Sequence, residues 1–258
     1  HILGAAEVEL KNVLNWMIGS GAFALGAAFV VDRARRRTFL LEKDLSEEKA
    51  RSDALLLNVL PAGIADRLKN NEKRIADYCP NVTVLFADIA GFTAFSRKSK
   101  PAELVELLND LFSMFDDLAQ KHRVEKIKTI GDGYMVVAGL SNNRNAAQAA
   151  KAMADLSLDM RAAFNTFRLE RTLELSLRIG LHSGPVIAGV IGTRKFSFDL
   201  WGDTVNVASR MEAACPKDKI LITRQTRDLI GSAYRTASQG DIEVRGHEPR
   251  EVFLLEGR

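Results

Sequence analysis

Two aspartates, each at the end of a strand-like run, are the residues of this chain best suited to chemistry. Asp88 follows the β-branched and aromatic run at 82–86, and Asp132 interrupts a second such run between Gly131 and Gly133. Carboxylates at the ends of neighbouring strands can hold a pair of hard divalent cations, which prefer oxygen ligands. Each aspartate alone is also typical of a turn beside glycine, but the pair predicts a two-metal site with space for phosphates.

One amphipathic helix separates the two aspartates in the sequence. Pro101 suits the first turn of a helix, and apolar residues recur after it at spacings of three and four. The recurring residues are Leu104, Leu107, Leu108, Leu111, Phe112, Phe115 and Leu118. A strand, this helix and a hairpin through 131–133 would lay two strands side by side, so both acids would face one cleft.

The remaining pattern alternates helices and strands to the end of the chain. We expect helices at 146–168, 205–214 and 225–230, and strands at 175–181, 186–191, 196–201, 220–223, 242–244 and 252–255. The order β-α-β-β-α-β with additional C-terminal strands predicts an α+β fold of the ferredoxin-like, palm type. Within it, we expect His182 to support the sheet and Asp203 to cap a helix.

An uncharged apolar run at 13–31 approaches the roughly 20 residues that an apolar helix needs to cross a bilayer. Arginines at 33 and 35–37 follow it, which favours a membrane span with the rest of the chain on the cytoplasmic side of the cell membrane. The alternatives are a buried soluble helix and a signal-peptide core, although a signal peptide carries its basic residues before its apolar run. Because the sequence begins without Met, we expect a piece of a longer protein, with 1–12 a juxtamembrane or loop segment.

A charged helical segment follows the apolar run. Residues 38–60 lack glycine and proline and carry an intermittent stripe of leucine and valine, and Pro61 then ends the helix. We interpret 32–77 as a helical stalk that either dimerises and transmits a signal or acts as a simple spacer. The globular domain is expected at 78–258.

Charge and cysteine content bear on partners and compartment. Lysine and arginine number 36 against 33 aspartate and glutamate, a net charge of +3, and this balance does not predict a nucleic-acid partner. The two cysteines, Cys79 and Cys215, have no metal-ligand spacing and are typical of a reducing compartment. We expect both thiols to be structural.

Four ordered blocks of the sequence resemble the catalytic blocks of class III adenylate cyclases of the membrane-anchored bacterial type. They are VTVLFADIAGFT at 82–93, VEKIKTIGDGYMVVAG at 124–139, GLHSGPVIAG at 180–189 and FDLWGDTVNVASRM at 198–211, and LLLNVLP at 55–61 is similar to the segment before that domain. The resemblance covers most of 55–255. It implies that a homodimer converts ATP to 3′,5′-cyclic AMP and pyrophosphate at its interface, with two divalent cations per site, Mg or Mn.

The resemblance also implies roles for individual residues. Asp88 and Asp132 would hold the cations, helped by the backbone carbonyl of Ile89. Lys128 and Asp199 are similar to the pair that reads adenine, because a lysine donates to a ring nitrogen and a carboxylate accepts from the exocyclic amine.

Two residues one helical turn apart, Asn206 and Arg210, match the pair that serves the transition state. The asparagine would orient the ribose, and the arginine would meet charge that develops on the phosphorane oxygens. Either Arg245 or His247 lies where such cyclases place a basic residue on the terminal phosphates, and the sequence leaves the choice between them open.

Two other functions are compatible with part of the same pattern. One is a non-catalytic, cyclase-like module that binds nucleotide or dimerises; loss of any of the six side chains would favour it, and the sequence retains all six. The other is a diguanylate cyclase or a polymerase palm, which shares the two-acid strand and hairpin. The absence of a Gly-Gly-Asp/Glu-Glu-Phe turn argues against the diguanylate cyclase.

Overall fold

A computed structural model describes residues 2–57, 60–70, 72, 74–140, 144–192, 195–242 and 249–258. The chain divides into two compact units, His1–Asp66 and Arg67–Arg258.

The first unit consists mainly of one long helix. Helix α1 spans Ile2–Leu57, and helix α2, Ala62–Lys69, follows Pro61. The sequence predicted a membrane span and a stalk helix in series, and the structure joins them into one helix that ends before the proline. The part of α1 at Leu10–Leu57 is long and apolar enough to cross a membrane, by length and composition.

The second unit is built on one eight-stranded sheet with helices on both faces. The strands are β1 (Ala76–Ala90), β2 (Glu125–Ile130), β3 (Gly133–Ala138), β4 (Ser176–Ile191), β5 (Ser197–Trp201), β6 (Lys219–Thr223), β7 (Arg235–Ile242) and β8 (Arg250–Gly257). The helices are α3 (Phe92–Ser96), α4 (Pro101–Lys121), α5 (Ala146–Glu170), α6 (Asp203–Ala214) and α7 (Arg224–Ile230), and a 3₁₀ turn follows at Gly231–Ala233.

The strand order is β2-β3-β1-β4-β6-β8-β7, and β5 pairs with β4. All paired strands are antiparallel except β4 and β6. The first four strands follow the β-α-β-β-α-β order, so the predicted palm-type α+β fold is confirmed.

Helices cover the sheet because each face of the strands carries a separate apolar set. Helices α4 and α5 bury residues such as Phe115, Met153 and Phe164 against one face, where they form the larger core cluster. On the opposite face, Val207 and Met211 of α6 form a smaller cluster with residues of β6 and β8. The two cysteines are free and buried, as expected of structural thiols.

Strand β4 corrects the prediction of two strands at 175–181 and 186–191, because it is continuous through the His-Ser-Gly-Pro segment. Pro185 lies between Gly184 and Val186, which pair with Val82 and Cys79 of β1, and it lacks the N–H that a ladder requires. The register of β1 shifts between Cys79 and Val82, so Pro185 is left out of the ladder. His182 is buried within β4 and hydrogen-bonds through Nδ1 to Thr223 Oγ1 at 2.8 Å, so its predicted role in the sheet is confirmed.

Helix α6 corrects the cap predicted at Asp203. Gly202 occupies the cap position with φ 135°, and Asp203 is the first residue of the helix. There its carboxylate interacts favourably with the positive end of the helix dipole. Asp203 also pairs with Arg250 at 3.4 Å.

Strand β7 begins before the strand predicted at 242–244, and residues 243 and 244 lie outside the described residues.

Candidate active site

The predicted acidic pair converges in the folded chain. Asp88 lies near the end of β1, and Asp132 lies in the turn between β2 and β3. The pairing of Ala87 with Tyr134 brings the end of β1 beside that turn. Burial raises the pKa of Asp132, and the charge and hydrogen bonding of Asp88 raise it further, so the two carboxyl groups are close enough to repel each other.

Two further charged residues, Arg178 and Glu212, lie beside Asp88 and Asp132 and were not predicted from the sequence. These four residues are called the acidic cluster here because three of them are carboxylic acids. Arg178 of β4 lies opposite Asp88 in the strand register, and its Nη2 donates to Asp88 Oδ2 at 2.5 Å. The same Nη2 lies 3.0 Å from Glu212 Oε1 on α6. The one available signal for Arg178 was a lone charge within the apolar run at 175–181.

Glu212 has the most perturbed carboxyl group of the acidic cluster. Its side chain is only 13% exposed. Burial and the charges of Asp88 and Asp132 raise its pKa to about 7, and Arg178 opposes part of that rise. Glu212 Oε1 and Arg178 Nε are buried without a hydrogen-bond partner, and the 3.0 Å contact of Glu212 Oε1 is an ion pair with Arg178 Nη2. The cluster therefore brings three carboxyl groups together in a partly buried site.

The donor set fits hard divalent cations. Asp88 and Asp132 present oxygen ligands, and a cation between them would relieve the repulsion that raises the Asp132 pKa. Among the described residues no group of three or more histidine, cysteine or acidic side chains is arranged to hold a metal. A Cβ on Gly133 would lie 3.1 Å from the carbonyl oxygen of Ile130, so glycine keeps the turn compact. The side chain of Ile89 is buried in the core and leaves only its backbone for a ligand role.

The predicted base-reading residues also meet. Lys128 of β2 donates from Nζ to Asp199 Oδ2 of β5, with side-chain exposures of 37% and 21%. The other oxygen of Asp199 accepts from the backbone nitrogen of Leu200 at 2.9 Å, which fixes the carboxylate. A donor and an acceptor thus lie side by side at a partly open position.

Asn206 and Arg210 lie one turn apart on α6, as the sequence predicted. Asn206 is exposed and Arg210 is half-buried. Arg210 precedes Glu212 by two residues, which places their side chains about 200° apart around the helix. Because Glu212 faces the acidic cluster of its own chain, Arg210 points away from that cluster.

Close packing of α6 against β4 fixes the position of this helix. A Cβ on Gly180 would lie 2.0 Å from the backbone nitrogen of Glu212, so only glycine permits the contact. Thr204 Oγ1 donates to the carbonyl oxygen of Pro185 at 2.6 Å and secures the first turn of α6.

The phosphate-binding candidates Arg245 and His247 lie outside the described residues.

Comparisons with known proteins show the family of this chain. Residues 76–257 match the family described as the adenylate and guanylate cyclase catalytic domain. An adenylate cyclase of Mycobacterium bovis is 42% identical over 226 residues, which cover 87% of this chain and 51% of that protein. Human retinal guanylyl cyclase 1 is 40% identical over 232 residues, which cover 88% of this chain and 21% of that protein.

Solved structures show the same fold. The adenylyl cyclase CyaB from P. aeruginosa superposes with a TM-score of 0.68 at 27% identity, over 71% of this chain and 96% of that one. The guanylate cyclase domain of RhGC from Catenaria anguillulae, solved in complex with GTP, gives 0.67 at 33% identity, over 70% and 99%. The chain belongs to the adenylate and guanylate cyclase catalytic domain family. It spans about half the length of the mycobacterial relative and about a fifth of the human one.

Proposed function

We propose that this chain is an adenylate cyclase that converts ATP to 3′,5′-cyclic AMP and pyrophosphate. The observation that carries the choice of ATP is the contact between Lys128 and Asp199. Adenine offers an acceptor ring nitrogen beside a donor amine, which matches an ammonium beside a carboxylate. Guanine presents a carbonyl and an N–H at those edges, which is the opposite pattern. Relatives named for either nucleotide are similarly close to this chain, so the argument rests on these two side chains.

In the proposed reaction the ribose 3′-oxygen attacks the α-phosphorus, the bond to the pyrophosphate oxygen breaks, and the hydroxyl proton is lost. Asp88 and Asp132, with the carbonyl of Ile89, would hold two divalent cations, Mg or Mn. When bound there, the cations would lower the pKa of the 3′-hydroxyl and neutralise the triphosphate. Asn206 would orient the ribose, and the guanidinium of Arg210 would meet the charge that develops at phosphorus.

The proposed site is composite and needs a homodimer. Arg210 points away from the acidic cluster of its own chain, so a site that uses both requires the acidic cluster of one protomer and α6 of its partner. A symmetric dimer would hold two such sites. A single protomer is expected to be inactive.

A direct assay tests the reaction and the choice of base. The full chain would be incubated with ATP or GTP and Mn²⁺, and both cyclic products would be measured. We expect cyclic AMP in excess, and its loss in Asp88→Ala and Asp132→Ala. The control Asp228→Ala removes an exposed carboxylate that pairs with Arg227 on α7, and it should retain activity. Predominant cyclic GMP would make the chain a guanylate cyclase, and no product from the unmutated dimer would favour a binding module.

We further propose that residues 13–31 of α1 span the cell membrane, with the catalytic domain on the cytoplasmic side. Apolar side chains such as Trp16, Phe23 and Phe29 of this segment are 66–79% exposed in the first unit, which suits contact with lipid. Residues between this span and the second unit, which begins at Arg67, would then form a stalk that raises the effective concentration of two catalytic domains and transmits a signal to them. If chains lacking residues 1–60 dimerise and turn over as well as the intact chain at equal dilution, the stalk has no such role.

A further inference from the structure

An irregularity in β2 turns two neighbouring lysines to opposite faces of the sheet. Lys126 pairs with Val136 of β3, and Lys128 pairs with the next residue, Met135, so Ile127 forms a bulge. Lysines two apart in a regular strand would share one face. Because Val136 and Met135 point to opposite faces, the bulge separates Lys126 from Lys128.

The side-chain contacts agree with this separation. On the face covered by α4 and α5, Lys126 Nζ donates to Asp116 Oδ2 of α4 at 2.7 Å. Lys128 reaches Asp199 of β5 instead. The bulge thus decides which lysine is available to a nucleotide base.

Asp116 also holds the strand that faces the bulge. Tyr134 of β3 donates from its hydroxyl to Asp116 Oδ1 at 2.6 Å, and its side chain is buried with 1% exposure. The ring lies between Phe112 and Phe115 of α4, with centroid distances of 5.7 and 5.5 Å. Lys126 Nζ lies 5.2 Å from the centre of the same ring, where a cation is favourable.

One carboxylate therefore ties α4 to both strands of the hairpin, with one oxygen for each strand. We propose that Asp116 is a positioning residue for base recognition. By holding Lys126 and Tyr134 it fixes the bulge at Ile127, and the bulge directs Lys128 toward the base. A slip of one residue in β2 would turn Lys128 toward α4. This inference rests on the proposed function, in which Lys128 reads the base.

Removal of the carboxylate should therefore change base choice more than turnover. In the full chain with Mn²⁺, Asp116→Ala should raise the KM for ATP about fivefold, the loss expected for one weakened hydrogen bond, with kcat within about twofold. The ratio of kcat/KM for ATP to that for GTP should fall by a similar factor. A purely structural tie would lower the amount of active enzyme, and hence the rate with both nucleotides, without moving that ratio.

The matched control is Asp110→Ala. Asp110 is also a half-exposed aspartate of α4 and pairs with Arg171 at 2.8 Å, on a contact that does not involve the hairpin. This variant should leave the ATP to GTP ratio unchanged. An equal fall of the ratio in both variants would overturn the proposal.

A double substitution tests whether Asp116 acts through Lys128. In a Lys128→Met background, Asp116→Ala should not change the ratio further, whereas independent effects would add. If Asp116→Ala fails to fold, Lys126→Met and Tyr134→Phe each remove one half of the tie, and each should lower the ratio. A further change of the ratio in the Lys128→Met background would refute the inference.

Binding separates failure of this inference from failure of the proposed function. Fluorescent N-methylanthraniloyl derivatives of ATP and GTP would be titrated into the same proteins with Ca²⁺ in place of Mn²⁺. If the unmutated chain forms no cyclic product yet binds the ATP derivative more tightly, and Asp116→Ala removes that preference, the reaction is wrong and the positioning role stands. If it binds neither derivative, or binds both equally, the positioning role is refuted.

Discussion

Glu212 provides a test of the electrostatics of the acidic cluster, because it titrates within an accessible pH range. Its pKa of about 7 compares with an ordinary value of 4.5, and the causes are burial and the charges of Asp88 and Asp132. The folded chain therefore binds this proton more tightly than the unfolded chain does. The contribution of Glu212 to stability is fully present below about pH 4.5 and is lost as pH rises toward 7.

The size of the effect follows from the gap between those two pKa values. At about 1.36 kcal/mol per pKa unit, the gap corresponds to a loss of about 3 kcal/mol of unfolding free energy. This is an upper limit, because the side chain is 13% exposed and Arg178 can move toward a newly formed carboxylate. We expect a measured loss of about 1 to 3 kcal/mol between pH 4.5 and 7.5.

The assay is urea unfolding of the unit Arg67–Arg258 in EDTA, followed by circular dichroism at several pH values. Isolated cyclase domains of similar extent have been solved, including one that covers 70% of this chain. Glu212→Gln is the matched variant, and the difference in unfolding free energy between the two proteins isolates Glu212. Carboxyl groups outside the acidic cluster are present in both proteins, so their effects largely cancel in this difference. A difference that stays flat, or that favours the unmutated protein as pH rises, would refute the reasoning.

Three further outcomes follow from the geometry of the site. Asp132→Ala and Arg210→Ala should each be inactive, but their co-expression should restore about a quarter of the activity, because half of the dimers would be mixed and each would hold one intact site of two. Gly180→Ala should lower the unfolding free energy by at least about 2 kcal/mol, seen as a lower midpoint in thermal unfolding, because its Cβ would lie 2.0 Å from the backbone of α6. Arg178→Met should destabilise the metal-free chain, and added Mn²⁺ should restore more stability to this variant than to the unmutated chain, because a cation would compensate Asp88 in place of the guanidinium.

Local sequence pattern predicted most of the helices and strands and the acidic residues at the strand ends, but not the continuity of β4 or the start of β7 at Arg235. Asp88 and Asp132 could be paired because few elements separate them along the chain, namely α3, α4 and β2, and this local connection limits the topology. The contact of Lys128 with Asp199 was expected through family resemblance alone, since nothing in their spacing predicts that β2 and β5 approach each other.

Arg178 and Glu212 escaped prediction because their role depends on long-range strand order. Arg178 is 90 positions from Asp88, and only the antiparallel register of β1 with β4 places them opposite each other. Glu212 joins them because Gly180 lets α6 approach the sheet closely. The bulge at Ile127 could not be predicted for a different reason. The sequence at 125–130 is also compatible with a regular strand, and only the pairing with β3 shows the extra residue.

Helix α6 connects the two halves of the proposed dimeric site through its own geometry. Glu212 faces the acidic cluster of its own chain, and Arg210, about 200° around the same helix, faces away toward the proposed partner. Residues 203–214 form a single helix packed tightly on β4, so a displacement of α6 would move both side chains together. Cation binding in one protomer would therefore bias the position of Arg210 in the site it shares with the other protomer. Such coupling predicts that activity rises cooperatively with Mn²⁺ in the dimer, and that Glu212→Gln reduces this cooperativity although Asp88 and Asp132, the proposed metal ligands, remain in place.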